Sequence, residues 1–207
     1  MMNIIMFRSH TMRTTPSRKD ISHERIVSVA ARAIRRGGFQ GVGVADIMKE
    51  AGLTHGGFYA HFRNRDALLA EALERAGQET ATRLQDDVER REARGSSPLR
   101  ALVDAYLSDR HLAEIEAGCA VAALASEMPR QAAEVREAAA ERVRGMLAGV
   151  RRALPEGSPA GSAAAVASQL VGALQLARAL GDNAEGRALL KAAREALLSQ
   201  HDRRARD

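Results

Sequence analysis

The stretch Val44–Ala67, VADIMKEAGLTHGGFYAHFRNRDA, decides the fold of this 207-residue chain. Val44, Ile47, Met48 and Ala51 recur at i, i+3, i+4 and i+7, the spacing that lines one face of a helix with apolar side chains. Gly52 follows, and glycine accepts the left-handed conformation that closes a helix. Thr54 then stands where its hydroxyl would cap a second short helix, with Leu53 and Phe58 at the spacing of a hydrophobic staple. Two short helices joined by a glycine-containing turn form either a plain helical hairpin or a helix-turn-helix. The make-up of the second helix separates these readings. A plain hairpin carries long, helix-favouring side chains on its exposed face, whereas here the positions hold Thr54, His55, Gly56, Gly57, Tyr59 and His61. Two glycines in a first turn cost about 1 kcal/mol each against alanine, and close approach of a DNA major groove accounts for them.

The charge distribution agrees. Residues 1–66 hold 11 Lys/Arg and 5 Asp/Glu, a net +6, while residues 67–207 hold 20 and 21, a net −1. Phosphate neutralisation supplies much of a DNA binder's affinity, so the basic third is the one that needs its charge. A basic surface for membrane lipids is the competing use of such charge. Proline is scarce and aromatic residues make up 3% of the chain, a balance that favours an all-α protein. The weakly charged run Gly161–Leu180 holds Ser162, Ser168, two Gln and Arg178, which reads as too polar for a membrane span. With one cysteine there is no intramolecular disulfide and no Cys-based zinc finger, which points to a cytoplasmic protein.

From Gly52 to Leu73, GLTHGGFYAHFRNRDALLAEAL resembles the core of the TetR/AcrR family of bacterial transcriptional regulators, a likeness that extends over about residues 18–75. The resemblance implies a homodimer that binds a double-stranded DNA operator, more often as a repressor, and answers a small-molecule effector. It also implies a four-helix bundle formed by the last two helices of each subunit. By the same similarity Thr54, His55 and Gly56 lie where base edges are read, and Tyr59, His61 and Arg65 where phosphates are held. A phenol and an imidazole each donate a single hydrogen bond to a phosphate oxygen, and a basic residue at a helix start is better explained by a bound anion than by the helix dipole. Lys49, at the end of the first motif helix, adds a further phosphate contact. Where the family commonly has Thr or Ser capping that helix this chain has Val44, so Gly43 is left to cap it weakly.

Elsewhere the pattern predicts about nine helices. Residues 1–17 form a basic arm, or else translation begins at Met12; Arg8, Arg13, Arg18 and Lys19 would reach DNA. A first helix starts between Ser17 and Ser22, buries Ile26, Ala30, Ala33 and Ile34, and ends at Gly37-Gly38, with Phe39 packing back into a three-helix core. The helix-turn-helix domain spans 18–64 and an effector-binding and dimerisation domain spans 65–207. Asn64 caps a long linking helix to about Arg94, and Gly95-Ser96-Ser97-Pro98 breaks the chain. Further helices are expected at Pro98–Ala113, Gly118–Glu127 stopped by Pro129, Gln131–Leu154, Pro159–Leu180 and Asn183–Gln200. In the last two, the stripes Ala167, Leu170, Val171, Leu174 and Leu189, Leu190, Ala193, Leu197 read either as protomer core or as the dimer face.

Cys119 reads as a small buried hydrophobe or as an electrophile sensor whose thiolate would need His111, Arg110 or Arg130 nearby. No G-x-S-x-G, H-E-x-x-H or paired Cys/His spacing is present, so neither an enzyme nor a metal site is expected, nor a cofactor. Glu134, Glu137 and Glu141 with Arg130, Arg136 and Arg144 look like solvated helix pairs. With Tyr106 the one aromatic of the effector half, a large cationic aromatic effector is disfavoured and a small apolar or electrophilic one is left. A helical scaffold without DNA function is the alternative reading.

Overall fold

The computed structural model describes residues 17–202, so the readings of the arm before Ser17 and of a start at Met12 lie outside the described residues. Among the described residues there are nine α-helices, two short 3-10 segments and no strand. α1 (Arg18–Gly37) opens on a capping box: the Asp20 N–H donates to Ser17 Oγ at 3.1 Å and the Ser17 N–H donates to the Asp20 carboxylate at 2.9 Å. It closes on Gly38 at φ 74. Ile26, Ala30, Ala33, Ile34 and Phe39 are all buried, as their spacing requires.

α2 (Val44–Glu50) buries Ile47 and Met48, with Ala51 behind them and Val44 half-buried. Its end is a Schellman motif. Gly52, at φ 68, donates to the Lys49 carbonyl at 3.0 Å, and Leu53 donates to the Met48 carbonyl at 2.8 Å. α3 (Arg65–Glu92) starts where the Asn64 side chain accepts from the Ala67 N–H at 2.8 Å. Its 28 residues make it about 42 Å long. Leu68, Leu69, Ala72, Leu73 and Ala76 on its first turns are buried in the core that packs α3 on α1, while its later turns form one wall of the second half.

The expected helix from Pro98 to Ala113 is two helices, α4 (Pro98–Tyr106) and α5 (Asp109–Ala113). Leu107 leaves the helical region, and the Ser108 hydroxyl recaps the chain by accepting from the His111 N–H at 3.2 Å. α6 is shorter than expected (Ala120–Leu124), and Pro129 sits inside a 3-10 turn, Met128–Arg130, rather than beyond a helix end. α7 (Ala133–Ala153), α8 (Ser162–Leu180) and α9 (Ala184–His201) complete the bundle, with Asn183 capping α9. One continuous core runs from Ile26 to Leu198.

The two C-terminal stripes belong largely to this core. Ala167, Leu170 and Leu174 of α8 and Leu190 and Leu197 of α9 are buried inside the protomer, with Val171, Leu189 and Ala193 packed at its margin. What α8 and α9 leave outside is a different, smaller-grained surface, with Leu176 60% exposed and Leu180 beside it. By length and mean hydropathy α8 does reach the mark of a membrane span, unlike the sequence-based reading; in the fold it packs against α6, α7 and α9.

Candidate nucleic-acid interface and effector cavity

The second element of the helix-turn-helix is not an α-helix. His55–Ala60 winds as a 3-10 helix, and Thr54 makes no side-chain cap; its backbone carbonyl instead accepts from Gly57 at 3.0 Å. Two glycines weaken the four-residue ladder, and the chain settles into tighter three-residue turns. Phe58 and Phe62, stacked at 5.5 Å between ring centroids, anchor this segment in the core and turn its other face outward. Thr54, His55, Gly56 and Lys49 are exposed, and Tyr59 is 73% exposed.

Gly56 is informative because nothing inside the protein requires it. Its φ is not positive, and a Cβ built there meets no atom within 4 Å. At Gly57 the same Cβ meets Met48 Cε and Thr54 Oγ1 at 3.7 Å, ordinary contact. The absent side chain of Gly56 therefore clears the outside of the molecule, whereas the Cβ position of Gly57 faces the buried Met48.

The expected phosphate residues divide. Tyr59 leans edge-on against Phe58 with its ring otherwise in solvent. His61 is half-buried beside His23, and burial first, then the charges of His23 and Lys19, lower its pKa, so its ring is neutral at pH 7. Lys19 thus joins the same face. Arg65 does not turn outward: its Nη2 donates to the carbonyls of Phe39 and, at 3.3 Å, Val42. It clamps the connector between α1 and α2. The basic residue at this helix start thus has partners inside the protein, the two carbonyls of a glycine-rich connector.

Sequence reasoning missed the joint that ties this head to the other helices. Arg35, on the buried side of α1, donates to Glu79 at 2.6 Å and to the carbonyls of Ala31, Ala76 and Gly118. Burial lowers its pKa and Glu79 opposes that shift. The Phe39 N–H donates to the Glu127 carboxylate at 2.9 Å. The segment carrying α6 therefore grips both ends of the turn out of α1. Gly118 has no room for a side chain, since a Cβ there would stand 2.4 Å from Arg178 Nη2 and 3.0 Å from the Glu114 carbonyl. Patterns of apolar residues carry no signal for such a joint.

On the far side of α6 lies a cavity of about 450 Å³ between α3, α4, α6, α7 and α8. Leu84, Val88, Leu102, Val121, Met146 and Leu170 give it aliphatic walls, and Tyr106 and Cys119 lie on the wall nearest α6. Cys119 is 7% exposed and its N–H donates to His111 Nε2 at 2.9 Å. His111 Nδ1 in turn lies 2.7 Å from the Tyr106 carbonyl, so the ring holds its proton on Nδ1. Burial drives its pKa down to about 4. His111 is therefore neutral and gives the thiol no charge; Arg110 is paired with Glu114 at 3.0 Å, and Arg130 is exposed in its 3-10 turn. The cation that does approach is Arg178, whose Nη2 donates to the His111 carbonyl at 2.8 Å.

Fold and site together define an all-α helix-turn-helix protein with a helical, cavity-bearing second half. Residues 26–72 match the model of bacterial regulatory proteins of the TetR family, and residues 95–197 match the tetracyclin repressor-like C-terminal domain. The chain belongs to the TetR family. An uncharacterized HTH-type transcriptional regulator of Mycobacterium tuberculosis is 33% identical over 106 residues, covering 50% of this chain and 52% of that relative. The chain thus spans about half the length of the curated relatives it matches. Solved structures share the fold at low identity. Escherichia coli NemR in its reduced form superposes with a TM-score of 0.70 at 20% identity, covering 86% of this chain and 95% of NemR. A TetR regulator from Chloroflexus aurantiacus gives 0.69 at 21%, covering 87% and 94%. Bacillus subtilis FadR in complex with stearoyl-CoA gives 0.58 at 17%, covering 86% and 98%.

Proposed function

We propose that the protein is a homodimeric, sequence-specific DNA-binding repressor that leaves its operator when a small molecule fills the cavity. The observation that carries the DNA reading is Gly56, exposed, at a negative φ and with no neighbour that its missing side chain would touch. In this reading Thr54, His55 and Gly56 meet base edges. Tyr59, His61, Lys49 and Lys19 hold phosphates, and Arg65 keeps the connector in place so that the 3-10 turn stands at a defined height above the groove.

Dimerisation uses the outward faces of α8 and α9. Gly172 has nothing within 4 Å of its Cβ position, Leu176 and Leu180 are exposed around it, and Ala188, Ala192 and Ala196 are exposed along α9. Small residues let two helix pairs approach closely, and a two-fold dimer would present two reading turns to successive half-sites.

The switch follows from the position of α6. A ligand against Cys119 and Val121 moves the segment whose Gly118 carbonyl accepts from Arg35 and whose Glu127 holds the Phe39 N–H. It displaces α1 and its connector relative to α8 and α9, altering the spacing of the two heads, and it acts only by its differential affinity for the two arrangements. Bacillus subtilis FadR, solved in complex with stearoyl-CoA, is a precedent for a ligand bound by a protein of this fold. Cys119 is assigned to packing on the cavity wall. Mobility shift on the DNA flanking the coding sequence tests the proposal: a retarded complex whose log affinity falls linearly with log salt supports it, and no sequence-selective complex at low salt refutes it in favour of a helical scaffold.

A further inference from the structure

The cavity wall formed by α7 has a composition that packing does not explain. Arg142, Gly145, Met146 and Gly149 face the cavity at i, i+3, i+4 and i+7. Two glycines inside a helix each lower its stability, and Gly145, exposed on the open side of the cavity, has no atom within 4 Å of its Cβ position. Gly77 opposite, on α3, is bare because the Arg142 side chain lies over it, with Cδ 2.4 Å from the Cβ position. The guanidinium is half-buried, its Nε is enclosed without a hydrogen-bond partner, and no carboxylate lies within ion-pair distance of it among the described residues. The carboxylate that lines the cavity, Glu92, stands fifteen residues further along α3, about 22 Å of helix away. Arg152 lies exposed toward that other end.

A half-buried cation with its Nε enclosed and no counter-ion among the described residues, at one end of an aliphatic chamber, is an unsatisfied anion site. We infer that the effector is an aliphatic carboxylate, held by a forked hydrogen bond from Arg142 and with its chain along Met146, Leu84, Val88 and Leu102. This inference rests on the cavity being the effector site. A carboxylate fits better than a neutral head group because an alcohol offers one lone-pair contact and leaves the charge unneutralised. Arg142 held in this way also draws α7 toward Gly77 on α3, which connects the ligand to the helix that reaches the DNA-binding head.

Calorimetric titration of the full chain with decanoate, 1-decanol and decylamine tests it, using wild type, Arg142→Met, Arg142→Lys and the cavity-filling Gly145→Phe. Decanoate should bind at least about tenfold more tightly than decanol, the difference expected of a charge-assisted hydrogen bond. The preference should vanish in Arg142→Met, weaken in Arg142→Lys, and all binding should be lost in Gly145→Phe. Equal affinity for acid and alcohol, both abolished by Gly145→Phe, overturns the carboxylate while leaving the cavity as effector site. Tighter binding of decylamine assigns the anchor to Glu92 and overturns it also. Failure of all three probes to bind wild type, or binding indifferent to Gly145→Phe, overturns the inference and the cavity reading together. The wild-type comparison stands even where a variant fails to fold.

Discussion

Replacing Gly56 by alanine separates folding from DNA reading at a single atom. The new methyl group meets no protein atom within 4 Å and the backbone there is not in the left-handed region, so the folded state accepts it without strain. The unfolded chain loses conformational freedom, and stability should be unchanged or raised by about 0.4–1 kcal/mol. On DNA the same methyl occupies the layer between the turn and the base edges. Loss of one base contact is typically about 1–3 kcal/mol, so affinity for the operator should fall about five- to 150-fold, with a smaller change on non-specific DNA, whose affinity comes from phosphates. Urea unfolding followed by circular dichroism gives the first quantity, and fluorescence anisotropy with specific and scrambled duplexes gives the second. A protein destabilised by Gly56→Ala would show that the glycine serves the fold. Unchanged operator affinity would show that the turn does not approach DNA at that residue. Either result removes the observation on which the DNA reading stands.

Tyr59→Phe removes only the hydroxyl and should weaken all duplexes about equally while reducing the salt slope little, whereas His55→Ala should change the preferred sequence; uniform loss in both, measured by selection from random duplexes, would merge the two roles. Arg35→Ala removes the hydrogen bonds of a fully buried guanidinium and leaves the partly exposed Glu79 without its partner, while Thr80 still donates to the Gly118 carbonyl, and should destabilise the fold by about 2–3 kcal/mol; a loss under about 1 kcal/mol in denaturant titration would show that the joint is not structural. His111 is held neutral, its pKa lowered by burial from 6.5 to about 4. The unfolded chain binds that proton more readily, so its contribution is complete above about pH 6.5 and is lost as pH falls toward 4; wild type should lose about 2 kcal/mol between pH 7.5 and 5 that His111→Gln does not lose, and parallel pH profiles would refute it. Cys119→Ala should leave effector release intact, and release by an alkylating agent in wild type but not in the variant would reinstate the thiol as a sensor.

The helix-turn-helix was legible because its parts are local. Helix spacing in Val44–Ala51, the Schellman glycine at 52 and the Asn64 cap each depend on residues within seven positions of one another. The same locality misled at Thr54, where capping preference predicted a hydroxyl bond and the glycines after it gave a 3-10 turn instead. It misled again at Leu107, since a helix break of this kind, recapped by Ser108, leaves no mark in an apolar pattern. The C-terminal stripes were visible as stripes, but whether a buried face meets its own chain or a second copy is decided by where the neighbouring helices lie, and here they cover it.

By itself, the amino-acid sequence determined the helical class, the place and exposure of the reading turn and the basic bias of the head, because periodicity, capping and charge are properties of neighbouring residues. Tertiary structure alone decided that Arg65 clamps the connector, that Arg35 and Glu127 join the head to α6, and that Arg142 stands without a counter-ion among the described residues in an aliphatic chamber. Each of those is a pairing, or a missing pairing, between groups 23 to 88 residues apart or on separate helices, and side-chain partners at that separation are chosen by packing geometry, which no local pattern encodes.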